Sequence, residues 1–256
     1  WLNDKSIITG NSTKRERYIM KFTKQYNLMS VGSNSKIKKP DTGEEYIIAG
    51  LSLMPSDWVE GINVCPMSDI AGCKKPCLVS AGRGNMPTVV NARTRKTELY
   101  RDDRTTFFAM LRGDIHAFIY DCKKHEVKPA IRLNVISDIN YRKIIEDFPE
   151  VTFYDYTKNI KWHKKVAPAN YHLTFSYSEA SPKYMKLFEP IWKTNYNIAV
   201  VFKGKTLPKT FKGRKVINGD LTDHRFLDPK GVVVGLTAKG KAKKDNSGFV
   251  IDLLTI

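Results

Sequence analysis

Cysteine is scarce in this chain, four among 256 residues. So few thiols exclude a disulfide-built secreted scaffold, which packs its bridges far more densely. Long apolar runs are missing as well: no stretch of about eighteen consecutive apolar residues occurs, so no membrane-spanning helix is expected. The opening residues "WLNDKSIITGN" lack the basic, apolar and small-residue succession of a signal peptide, and a cytosolic protein is the expectation. Acidic residues are few, 26 against 43 Lys and Arg, which leaves a formal charge of +17. An excess of this size concentrates polyanions, so nucleic acid or a nucleotide is the expected partner, with solubility as the rival explanation. Familiar hydrolase and nucleotide motifs are absent too. "FSYSE" does not match G-x-S-x-G, and neither H-E-x-x-H nor G-x-x-x-x-G-K-[ST] occurs.

What is present is a globular composition, 41% hydrophobic, enough to build a buried core. Residues 1–45 are polar and lysine-rich, with the loop-like "SVGSNSKIKKPDTGEE", and read as a basic N-terminal arm or small element. The body, 46–256, reads as a single domain. It opens with the buried strand "EYIIAGLSLMP", followed by a cysteine loop over 63–84. Pro87 suits the first turn of a helical stretch that runs through Phe107, Leu111, Ile115 and Phe118, an apolar stripe at three- and four-residue spacing. Gly113 and "RDDR" favour two helices over one there. Beyond residue 128 come the strands "PAIRLNV", "VTFYDY", "NYHLTFS", "NIAVVF", "RKVING" and "GVVVGLTA". Helical segments such as "DINYRKIIEDF" and "SPKYMKLFEPIWKT" lie between several of them. Strands alternating with helices predict an α/β fold with a parallel sheet. Seven strands suit a (β/α) barrel-like arrangement, closed or partial, with an open doubly wound sheet as the runner-up.

The sharpest local signal is "CPMSDIAGCKKPC", which holds Cys65, Cys73 and Cys77 at C-x7-C-x3-C spacing. Thiolates ligate zinc and iron-sulfur clusters, and three of them leave one coordination position open. A structural zinc would recruit a fourth ligand, for which Cys122, His116, His125, His163, His172 and His224 are the candidates. A loop with no metal is the third possibility.

In a parallel α/β fold, working residues gather where strands end. The polar series at those points comprises Asn134, Ser137 and Asp138; Asp155, Tyr156, Thr157 and Lys158; Ser176, Ser178 and Glu179; Asp220 and Asp223; and Lys239 and Lys241. Asp155, Tyr156, Lys158, His172 and Asp220 are the catalytic candidates. "SAGRGN" offers a glycine-framed turn in which Arg83 would clamp an anion, though a plain tight turn reads the same way. "NARTRKTELYRDDR" and "NIKWHKK", with Trp162, suit a solvated surface or a nucleic-acid track. "DLTDHRFLDP" offers Asp220, Asp223, His224 and Asp228 for a divalent ion, as in a metal-dependent nuclease or hydrolase, against an ordinary turn and cap.

Taken in order, "LSLMP", "NVCPMSDIAGCKKPCLVSAGRG", "ARTRKT", "IRLNVISDI", "FYDYTKN", "NYHLTFSYSE" and "GDLTDHRFLDPKGVVVGLTAKGKAKKDNSGFV" resemble the phage-encoded gene product eighty-eight family. The resemblance implies a viral or mobile-element origin, and therefore the cytoplasm of an infected host cell. More distantly, a strand, a three-cysteine loop and a run of βα units resemble the radical S-adenosylmethionine enzymes, whose usual spacing is C-x3-C-x2-C. That resemblance implies a [4Fe-4S] cluster on Cys65, Cys73 and Cys77, with S-adenosylmethionine touched by Asn134, Ser137 and Asp138; Arg83, from its glycine-framed turn, is a further cofactor-binding candidate. Joined to the basic charge, the resemblance makes an enzyme acting on a nucleic acid or nucleotide the leading expectation. The rival reading is a non-enzymatic nucleic-acid-binding protein with a structural zinc. Neither reading needs a membrane.

Overall fold

A computed structural model of the chain describes residues 26–31 and 46–254. The apolar and β-branched runs form the strands β2 (Tyr46–Leu51), β3 (Lys128–Arg132), β4 (Thr152–Thr157), β5 (Tyr171–Ser176), β6 (Asn197–Phe202), β8 (Arg214–Asn218) and β9 (Val233–Thr237). Three further strands have no counterpart in the sequence reading: β1 (Met29–Val31), β7 (Thr210–Phe211) and β10 (Val250–Ile251). At two or three residues each, they are too short for an alternating pattern to show. β1 falls inside the 1–45 segment read as an arm, most of which lies outside the described residues.

All ten strands belong to one sheet, ordered β1-β2-β3-β4-β5-β6-β9-β8-β7, with β10 also paired to β6. From β2 to β8 every neighbouring pair is parallel, as the alternation of strands and helices predicts. β1 and β7 are antiparallel at the two edges. Among the described residues no pairing joins those edges, so the sheet is not closed. Beside β6 it forks: β5 pairs with Asn197–Ala199, and β10 takes over at Val201 and Phe202.

The helices are α1 (Pro87–Asp102), α2 (Arg104–Lys124), α3 (Arg142–Glu146) and α4 (Pro182–Trp192). The break between α1 and α2 comes at "RDDR". Asp103 accepts from the Thr106 N–H at 2.9 Å and its Oγ1 at 2.6 Å, which caps the second helix. Gly113 interrupts nothing and sits inside α2.

Strand parity sorts the side chains between two faces. On one face Ala49, Leu51, Ile131 and Phe153 pack with Phe107, Leu111, Ile115 and Phe118 of α2. Farther along the same face, Phe175, Ile198, Val200 and Val233 pack with Tyr184, Phe188 and Ile191 of α4. Each fully buried aromatic or Leu there contributes about 1.5–3 kcal/mol of transfer free energy. On the other, inner face Ile48, Ala130 and Tyr154 meet Phe226, which belongs to the β8–β9 connection. The described helices thus cover one face only, whereas a doubly wound sheet carries helices on both. The sheet order steps back from β8 to β9, and a right-handed crossover that reverses its direction of travel must cross on the opposite face. That is why residues 219–232 run down the inner face.

Candidate functional site at the C-terminal edge of the sheet

The cysteine loop spans the gap between β2 and α1, and hydrogen bonds fasten it on two sides. Toward β3, the Asp138 N–H donates to the Val64 carbonyl at 2.8 Å, and the Cys65 thiol lies 3.5 Å from the Ile136 carbonyl. Toward the β5–α4 connection, Ser178 Oγ donates to the Ala71 carbonyl at 2.7 Å and Ser181 Oγ to the Ile70 carbonyl at 2.8 Å. Gly72 makes the second junction possible. Its φ is +65°, and a Cβ there would sit 2.4 Å from the Cβ of Ala180, so only glycine fits.

Held in this way, Cys65, Cys73 and Cys77 line one cavity of about 190 Å³ at the C-terminal ends of the parallel strands. The same cavity gathers Asn134, Ser137, Asp138, Tyr156, Lys158 and Asp220 from the sequence candidates. It also contains Arg132, which the sequence reading overlooked. Arg132 is 3% exposed, pairs with Asp223 at 3.0 Å and stacks on the Tyr156 ring at 4.6 Å. A lone charge inside the apolar strand "PAIRLNV" was the available signal.

Several of the gathered groups are already engaged. Asn134 accepts from the Ser137 hydroxyl at 2.9 Å and the Ile139 N–H at 2.8 Å. Asp138 accepts from Thr157 Oγ1 at 2.8 Å and the Lys158 N–H at 2.9 Å, yet burial pushes its carboxyl above the ordinary value. Burial also works against the Asp220 carboxylate, but Lys239 and Thr237 outweigh it and hold this carboxyl below its usual range. Burial raises the Tyr156 hydroxyl as well. Lys158 Nζ stands 5.0 Å over the Phe249 ring at the mouth.

Three candidates lie elsewhere. Asp155 points to the helical face, behind the cavity wall. It accepts from the Asn134 N–H at 2.7 Å, Asn134 Nδ2 at 3.3 Å and the Tyr171 hydroxyl at 3.1 Å. Burial nevertheless lifts its carboxyl to about 7. Its hydrogen bonds to the cavity lining go to Asn134. His172 is near the start of β5, at the opposite end of the sheet, where burial and then Lys230 lower its pKa. Arg83 is exposed and off the cavity. The glycine-framed turn around it serves packing, since a Cβ at Gly84 would lie 2.0 Å from the Val79 carbonyl oxygen.

The donor set is suited to a soft metal or cluster: three thiols on one cavity wall. The charge of each ionised neighbour, Cys73 and Cys77, would press on Cys65. Burial pushes the Cys65 thiol up to about 12 and raises Cys73 too, so both are held in the protonated form. Among the described residues no three His, Cys, Asp or Glu side chains come together as a metal-holding group. None of the fourth-ligand candidates for zinc lines the cavity; Cys122, for one, is packed into the core against α2's neighbours. The aspartates of "DLTDHRFLDP" are likewise dispersed onto separate cations: Asp220 on Lys239, Asp223 on Arg132 and Asp228 on Arg225.

No helix among the described residues is long and apolar enough to cross a membrane. A family model described as gene product 88 matches residues 20–253. No curated protein and no solved structure matches the chain.

Proposed function

The chain belongs to the phage-encoded gene product 88 family, and we propose that it is an iron-sulfur enzyme resembling the radical S-adenosylmethionine proteins, acting on a nucleic acid or nucleotide in the host cytoplasm. One observation carries this reading. Three cysteines of a single loop line one cavity at the C-terminal ends of parallel strands, the edge where such sheets place their ligands. Zinc is the weaker alternative, because none of the cysteine and histidine candidates for a fourth ligand lines the same cavity among the described residues.

In this reading Cys65, Cys73 and Cys77 bind the cluster, and their thiols release protons on loading. When bound, a [4Fe-4S] cluster with S-adenosylmethionine supplies an electron for radical chemistry. Asn134, Ser137 and Asp138 form the wall beside it, stiffened by their own hydrogen bonds. Asp155 is a positioning residue that fixes Asn134 from behind. Arg132 and Tyr156 make the floor, while Lys158 and Lys239 at the rim attract an anionic substrate.

The test is metal and acid-labile sulfide content, with a visible spectrum, on protein purified without oxygen. Iron and sulfide at matching levels are expected, both lost in Cys73→Ala and both retained in Cys122→Ala. A Cys73→Ala protein with full iron content would end the proposal. Zinc in place of iron would instead support a nucleic-acid-binding protein with a structural metal.

A further inference from the structure

A second cavity, of about 620 Å³, opens on the inner face at the N-terminal ends of β5 and β6, away from the cysteines. Its volume is in the range of small-molecule sites. Three kinds of group meet there. Lys164, Lys165 and Lys230 stand on its wall, and the one carboxylate that lines it, Asp228, already faces Arg225 at 3.3 Å. Among the described residues the lysines therefore lack a counter-charge within the cavity. Phe226 and Tyr196 supply aromatic surface to its lining. Asp228 is 8% exposed through its side chain, and its Oδ2 faces Arg225 Nε, so the carboxylate is held in place at the cavity edge.

We propose that this cavity binds a nucleotide, with the phosphate on Lys164, Lys165 and Lys230, the base against Phe226 and Tyr196, and a base N–H donated to Asp228. The combination is what selects this class. Inorganic phosphate would use the lysines alone, and a nucleoside would use the aromatic wall and the carboxylate alone. The site is independent of any metal at the cysteines, and it lies at the end of the sheet opposite to them, so its occupant is a bound effector or anchor and not the reacting molecule.

Isothermal titration of the full chain with adenosine 5′-monophosphate, adenosine and inorganic phosphate tests the assignment. The monophosphate should bind more tightly than either fragment. Lys230→Ala and Lys164→Ala, both surface changes that spare the core, should each weaken it about tenfold. Lys186→Ala, an exposed change on α4 away from both cavities, should leave it unchanged. Phosphate binding as tightly as the nucleotide would overturn the nucleotide assignment. Loss of binding in Lys186→Ala with none in Lys230→Ala would overturn the location. Equal binding by the Cys73→Ala protein supports the separation of this site from the cysteine cavity, so failure of either reading is visible without the other.

Discussion

Asp155 shows how a single residue can look catalytic and act as a strut. It stands at the end of a strand among polar neighbours, but the strand's alternation turns it toward the helices, where burial raises its carboxyl to about 7. Between about pH 4 and 7 the native protein keeps this proton while the unfolded chain has released it. The resulting stability is fully present below about pH 4 and is lost as the pH rises through 7, at about 1.4 kcal/mol per unit. Asp155→Asn imitates the neutral acid and removes the titration. Urea unfolding at pH 4.5 and 6.5 should then show the wild type losing about 2 kcal/mol more than the variant between the two conditions. Equal losses in both proteins would place the titration on another group. His172 and Arg132 teach the converse lesson: one was suspected and lies at the wrong end, the other sits in the cavity and was passed over as part of an apolar strand.

At the scale of elements, the attachment of β1 depends on one buried side chain of α2. Asp114 accepts from the backbone N–H groups of Asn27, Leu28 and Met29 at 3.0, 2.7 and 3.0 Å. Lys96 of α1 adds a bond from its Nζ to the Leu28 carbonyl at 2.5 Å. Asp114→Ala leaves three backbone donors without their acceptor, at a cost of about 3 kcal/mol. Hydrogen exchange should accelerate at residues 28–31 while β3 keeps its protection; unchanged exchange in β1 would show that strand pairing with β2 alone holds it. The long elements were legible because their apolar periods extend over enough residues, as in the Phe107–Phe118 stripe and the run "NIAVVF". β1, β7 and β10 were not, since two or three residues carry no period and their pairing partners lie far away in the chain.

In a molecule of formal charge +17, lysines stand at both ends of the sheet. Lys158 and Lys239 stand at the cysteine cavity, and Lys164, Lys165 and Lys230 at the opposite one. If this charge gathers polynucleotide, affinity for single-stranded DNA falls linearly in logarithmic form with salt, with a slope of about −0.7 for each phosphate neutralised. Fluorescence anisotropy between low and moderate salt should give a slope of several units. A flat response would assign the charge to solubility.

By itself, the sequence determined the seven long strands, the four helices, the clustering of three thiols in one loop and the excess of positive charge, because each is a matter of local order or of counting. Only the tertiary structure decided which polar residues share a cavity. Adjacent residues of a strand face opposite sides, which separates Asp155 from Tyr156, and the two ends of a strand open onto different cavities, which separates His172 from Ser176. The reversal of strand order at β8 and β9 then carries residues 219–232 across the inner face. That single crossover places Asp220 and Asp223 at the cysteine cavity and Phe226 and Asp228 at the other.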